Sequence, residues 1–137
     1  MKAQYLVYGL ISIAIIGGLA WYISISPKLP PTTLAGHIEE SPPAHIVAMS
    51  IPENIQKHML EHADGVGKPG IVIQYNCEKY QCGAELISSL TAIVEQYPDT
   101  VYLAPNDYDG KIILTKVGKI KVLDDFDEAA IREFIER

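Results

Sequence analysis

The chain has 137 residues, 17 acidic against 11 basic side chains, a formal net charge of −6, four histidines and two cysteines. That length holds one domain of modest core, and the acidic balance argues against a surface built to grip nucleic-acid phosphates. No internal repeat or low-complexity tract is present.

Residues 5–26 (YLVYGLISIAIIGGLAWYISIS) carry no charged side chain. As a helix rising about 1.5 Å per residue they reach about 33 Å, enough to cross a bilayer. Trp21 and Tyr22 suit its outer interface, and Ala14, Gly17 and Gly18 make a small face that permits close packing against another span. Gly18-Leu19-Ala20 offers a small-residue cleavage site, but the apolar run exceeds the roughly 7–15 residues of a usual signal-peptide core. Residues 1–27 are therefore expected to be a retained single-pass anchor. Lys2 against Lys28 gives only a small positive-inside bias. Two closely spaced cysteines suit an oxidising compartment, so the expected arrangement at the cell membrane is amino terminus cytoplasmic, domain extracytoplasmic.

Pro27, Pro30, Pro31, Pro42 and Pro43 crowd the segment that follows and bar it from helix. Residues 28–49 are expected to run extended as a strap. The strap carries His37 and His45, and Leu34-Ala35-Gly36-His37-Ile38 gives it apolar side chains that can pack along the domain of residues 50–137.

Ser50-Ile51-Pro52-Glu53 has the form of a capping box, with Ser50 as N-cap. A helix from there to His62 sets Ile51, Ile55, His58, Met59 and His62 on one arc, pointing two imidazoles inward. A buried imidazole left unpaired costs about 1–3 kcal/mol, and one shared metal ion satisfies both; two separate histidines bonded to backbone carbonyls are the plainer alternative.

Beyond Gly70 short strands alternate with helices. Residues 71–75 (IVIQY) form a compact apolar strand, and a helix over 84–97 has Leu86, Ile87, Leu90, Ile93, Val94 and Tyr97 inward, with Pro98 ending it. Residues 101–103 are the next strand, the loop 105–110 turns the chain, and 111–116 with 119–123 form a hairpin about Val117-Gly118. Asp125 or Asp127 caps a last helix whose Ile131, Phe134 and Ile135 face the sheet. The fold class is α/β: a small sheet with two or three packed helices in the order β-α-β-β-β-α, partly thioredoxin-like, behind a transmembrane helix.

Cys77 and Cys82 lie where the first strand passes into its helix, the place where thioredoxin-like folds carry redox cysteines. Here four residues separate them, not two, and no proline immediately precedes the hairpin strand. A local structural disulfide is the favoured reading. Two thiolates for copper are the alternative, by resemblance to Sco-like chaperones, whose motif has three intervening residues.

Pro30-Pro31-Thr32-Thr33, Gly36-His37, His58-Met59-Leu60-Glu61-His62, the strand ending at Tyr75, Val101 to Pro105 and the close from Asp124-Asp125-Phe126-Asp127-Glu128 to Phe134 follow one order. It resembles an uncharacterised membrane-anchored family, domain of unknown function 3105, over most of residues 30–137. Members typically show Pro-Pro-Thr-Ser-Gly-Pro-His and then His-x-x-Glu-His-Gly. Here two residues are inserted before Gly36-His37, and Ala63-Asp64-Gly65 stands in place of the glycine after His62. Membership implies no known activity, but it implies a three-imidazole metal site of His37, His58 and His62.

Three imidazoles serve copper or zinc, and the nearby thioethers of Met49 and Met59 bias the choice to copper, with zinc second, although either methionine can simply fill core. Glu61 and His45 are expected to support the ligands from behind. His-x-x-Glu-His is also the inverzincin order, but that chemistry needs a further acidic ligand on a second long helix and a substrate cleft, for which about 100 residues leave little room. The expected function is a membrane-anchored, extracytoplasmic metal-binding domain acting in metal delivery or as an accessory subunit of a membrane protein complex. A structural subunit without metal is the rival.

Overall fold

The computed structural model describes residues 2–63 and 67–137, so Asp64 and Gly65 of the insertion after His62 lie outside the described residues. The chain begins with α1 (Lys2–Ile25), whose Val7–Ile25 stretch is long and apolar enough to cross a membrane and is buried by no other part of the chain. The domain follows as α2 (Glu53–Glu61), β1 (Ile71–Tyr75), α3 (Leu86–Val94), β2 (Val101–Pro105), β3 (Ile112–Lys116), β4 (Lys119–Leu123) and α4 (Glu128–Glu136). From β1 onward this is the expected β-α-β-β-β-α order.

The sheet is mixed, in the order β2-β1-β3-β4: β1 lies parallel to β2 and antiparallel to β3, and β3 is antiparallel to β4. In register, Ile73 faces Leu103 on one side and Leu114 on the other. A central strand covered on both faces must be apolar throughout. Ile71, Ile73, Leu103, Ile112 and Leu114 meet Leu86, Leu90, Ile93 and Val94 of α3 and Ile131 of α4 on one face. On the other face Val72, Tyr102 and Ala104 meet Met59 and Leu60 of α2, with Ile51 and Ala63. Strand β4 is the exposed edge, and Lys119 and Lys121 discourage further pairing there.

Three details depart from expectation. Helix α2 starts at Glu53 with Pro52 as its N-cap (φ −56°, ψ 146°) and no side-chain cap, so Ser50 does not form a capping box. Proline holds the extended φ that the N-cap needs, which sets the boundary two residues beyond Ser50. Helix α3 is shorter than 84–97: its end tightens through Gln96 N–H to Ile93 C=O (3.0 Å) and Tyr97 N–H to Val94 C=O (2.9 Å). Pro98 disfavours helical backbone at Tyr97, so the last turn winds up early. Ile87 is 43% exposed, because Leu86 takes the inward place of the first turn beside Tyr75 and Cys82. Asp127, of the two candidates, caps α4 by accepting from the Ala130 amide.

The proline-rich segment folds back over the domain. Lys28 is held at its amide by Asp109 Oδ2 (2.6 Å), at its carbonyl by the Asp109 amide (2.7 Å) and at its ammonium by Asp107. Lys79 reinforces that loop through Asp107 C=O (3.0 Å) and Asp109 Oδ1 (2.9 Å). Farther on, Thr32 C=O accepts from Gly118 of the β3–β4 turn, where φ is +69° and glycine is at no steric cost. Ile46 then bridges in parallel to Leu103, whose amide bonds His45 C=O (2.7 Å) and whose carbonyl takes the Val47 amide (3.0 Å). The strap thus covers the outer edge of β2, while Cys77 and Cys82 are joined in a disulfide between β1 and α3.

Candidate metal centre

Helix α2 is pressed onto the sheet by Met59 and Leu60, both fully buried, which turns the neighbouring His58 into the crease between helix and strap. The Gly70 amide bonds Leu60 C=O (3.2 Å), and the Tyr102 hydroxyl donates to Ala63 C=O, so the end of the helix is fixed from two sides. His37 and Glu39 arrive from the strap, where the turn at Gly36 (φ +78°) sends His37 back against α2. The His37 amide and its Nδ1 both reach Leu34 C=O, at 3.3 and 3.0 Å.

The facing groups converge. His37 Nε2 lies 2.9 Å from Glu39 Oε1 and 3.3 Å from Glu61 Oε2, and His58 Nδ1 lies 3.5 Å from Glu39 Oε2. The rings of His37 and His58 are stacked with centroids 5.8 Å apart. Ligand atoms of His37, Glu39 and His58 all fall within 4.8 Å of one another, the separation that lets three side chains share one ion. His58 is only 5% exposed, yet its Nδ1 has no hydrogen bond, and neither has the buried Oε2 of Glu61. Each such orphan costs about 1–3 kcal/mol, and an ion held by His37, Glu39 and His58 would give His58 Nδ1 its partner.

Electrostatics report the acceptors that crowd His37. The Leu34 carbonyl, then Glu39, raise the pKa of His37, because both ring nitrogens face acceptors. His37 in turn lowers the pKa of Glu39, with His58 and His62 adding to it. A ring with acceptors on both sides needs positive charge at Nε2, which either a proton or a metal ion supplies. The Nδ1–H bond to Leu34 fixes the tautomer that presents Nε2 outward.

The expected ligands are therefore placed as follows. His37 and His58 come together. His62 sits at the C-cap of α2 (φ −135°), outside the helix proper and outside the group of three; its ring meets that of His58 edge-on at 5.5 Å, and its Nε2 lies 3.7 Å from Glu61 Oε1. Glu61, expected behind the ligands, meets His37 Nε2 at 3.3 Å and lies outside the group of three. His45 is elsewhere: its Nδ1 bonds Val101 C=O (2.9 Å) and its ring stacks on Tyr102 at 4.1 Å, pinning the strap to β2. Met59 is spent on core packing, and Met49 is 79% exposed on the rim of an apolar groove with Pro42, Ile46 and Ile55. Sequence reasoning missed Glu39; the His37-x-Glu39 spacing was its signal, meaningful only once the strap is known to lie on α2. Compared with known proteins, the chain matches no family model, no curated protein and no solved structure.

Proposed function

We propose that this is a membrane-anchored metal-binding protein whose domain holds one transition-metal ion between the strap and α2. The observation that carries the reading is the pair of buried, unbonded atoms, His58 Nδ1 and Glu61 Oε2, facing His37 and Glu39. The proposal includes an extracytoplasmic domain, supported by the Cys77–Cys82 disulfide, and a single span supported by the length of α1. Metal delivery or an accessory place in a membrane complex follows from a small, anchored binding domain, and the small face at Ala14, Gly17 and Gly18 gives the span a means of packing. Kinship with domain of unknown function 3105 belongs to the same proposal and rests on the motif order. Copper, then zinc, were the ions suggested by softness.

Elemental analysis of the full chain, purified in detergent and dialysed, tests the reading. One ion per chain, lost in a His37→Ala, His58→Ala double variant, is the expected result. A wild-type chain that takes up no metal from solution overturns it. One observation favours a metal-free structural role: a protonated His37 can bridge Glu39 and Glu61 unaided. In that case His37 titrates identically with and without added metal.

A further inference from the structure

We infer that the site is built for a divalent ion of borderline hardness, taken by the imidazoles of His37 and His58 and the carboxylate of Glu39 with Glu61 beside them, and not for cuprous copper. The inference rests on the metal reading above and names the class of ion that the same site accepts.

Distances give the first argument. In a tetrahedral site with nitrogen and oxygen ligands about 2.0–2.2 Å from the metal, neighbouring donors sit about 3.3–3.6 Å apart. His37 Nε2 to Glu61 Oε2 is 3.3 Å and His58 Nδ1 to Glu39 Oε2 is 3.5 Å, while His37 Nε2 to Glu39 Oε1 is 2.9 Å. Each of the first two pairs is already spaced like neighbouring donors of such a site, and His37, Glu39 and His58 together fall within 4.8 Å of one another. The His37–Glu39 pair is a few tenths of an ångström shorter, and the exposed Glu39 side chain is free to swing from its imidazole partner to the ion.

Charge gives the second. Neutral His37 and His58 with ionised Glu39 and Glu61 bring a charge of two negatives, which a dication cancels and a monovalent ion leaves half unbalanced. The imbalance falls beside His58 Nδ1 and Glu61 Oε2, atoms closed off from water, where an uncompensated charge is costly.

Softness gives the third. Thiolate and thioether sulfur select cuprous copper, whereas imidazole with carboxylate suits zinc and similar divalent ions. The contacting groups of this cluster are nitrogens and oxygens. Cys77 and Cys82 are bonded to each other, Met59 is fully buried in the core under α2, and Met49 lies on the rim of a separate groove. Neither thioether expected to favour copper is therefore at the cluster, where the acidic groups are Glu39 and Glu61.

The full chain in detergent, stripped of metal by a chelator, tests this with three probes. Zn²⁺ and, as a visible reporter, Co²⁺ are titrated directly, and Cu⁺ is offered under ascorbate against a chromophoric cuprous chelator. Expected are one Zn²⁺ per chain, an intense four-coordinate Co²⁺ spectrum, and no Cu⁺ withdrawn from the competitor. Glu39→Gln, at an exposed position, should weaken Zn²⁺ by at least about tenfold while leaving the circular dichroism unchanged. Cu⁺ bound at His37 and His58 in preference to Zn²⁺ overturns the class of ion and leaves the metal reading standing. Zn²⁺ affinity unaffected by Glu39→Gln does the same for the carboxylate ligand. Failure of all three ions to bind overturns the metal reading as well.

Discussion

Gly70→Ala is the sharpest test of how the candidate site is held. A Cβ built on Gly70 comes 2.2 Å from the Met59 carbonyl oxygen and 2.6 Å from Ala63 Cβ, so the end of α2 must move away from β1. Overpacking of this kind costs about 1–3 kcal/mol. The shift also breaks the 3.2 Å bond from the Gly70 amide to Leu60 C=O, a further loss of about 0.5–1.5 kcal/mol. Together these come to about 1.5–4.5 kcal/mol, a change of about 10- to 2,000-fold in the unfolding equilibrium. The contact lies one residue from His58 and two from Glu61, so metal affinity should fall with stability. Urea unfolding of the full chain in detergent, followed by near-ultraviolet circular dichroism, measures the first; a Zn²⁺ titration measures the second. Gly83→Ala is the control, since a Cβ there meets nothing within 4 Å and should change stability by less than about 0.5 kcal/mol. If Gly70→Ala unfolds at the same urea concentration as Gly83→Ala, the packing of α2 on β1 described above is wrong.

Replacing both Cys77 and Cys82 by serine opens a loop with a sequence separation of 5, for which chain entropy gives about 2 kcal/mol of lost stability by urea unfolding. Native mass spectrometry without reductant should find the wild-type chain two hydrogens lighter than its reduced form. Adding Zn²⁺ should slow amide exchange at residues 36–40 of the strap as well as in α2; protection confined to α2 would remove His37 from the site. The Lys28 clamp should weaken in acid. Lys28 holds the Asp107 carboxyl below its ordinary range, and Lys79 together with the Lys28 amide does so for Asp109. A depressed folded pKa contributes stability above the unfolded value and loses it as pH falls through the folded value. Asp109→Asn should therefore be less stable than wild type at neutral pH, with the difference closing below about pH 4; an offset that stays constant down to pH 2 would refute the linkage.

The sheet was legible because its strands are short apolar runs separated by strong turn signals: IVIQY after Gly-Lys-Pro-Gly, and the hairpin about Val117-Gly118, appear within a residue or two of where periodicity set them. Helix ends were less so. A capping box was read at Ser50 because its spacing is right, but Pro52 owns the boundary through its own φ, a competition between two local rules that composition does not decide. For the site, the His58 and His62 spacing showed which turn of helix mattered. It did not show that His62 would fall on the non-helical cap residue, since helix ends shift by a residue or two for reasons that periodicity does not carry. Glu39 was illegible for a different reason: it meets α2 through a tertiary contact, and a proline-rich segment gives no periodicity from which its facing side chains can be read.

The grip on Lys28 has a mechanical consequence. Only Ser26 and Pro27 separate it from the last residue of α1, a stub that spans at most about 11 Å when fully stretched. A span followed by a long loose leash lets its cargo sweep a broad volume; this one does not. With α1 in a bilayer, so short a stub keeps the domain close to the lipid surface. On the proposed metal reading, that closeness favours exchange with neighbours in the same membrane over carriers arriving from bulk solution.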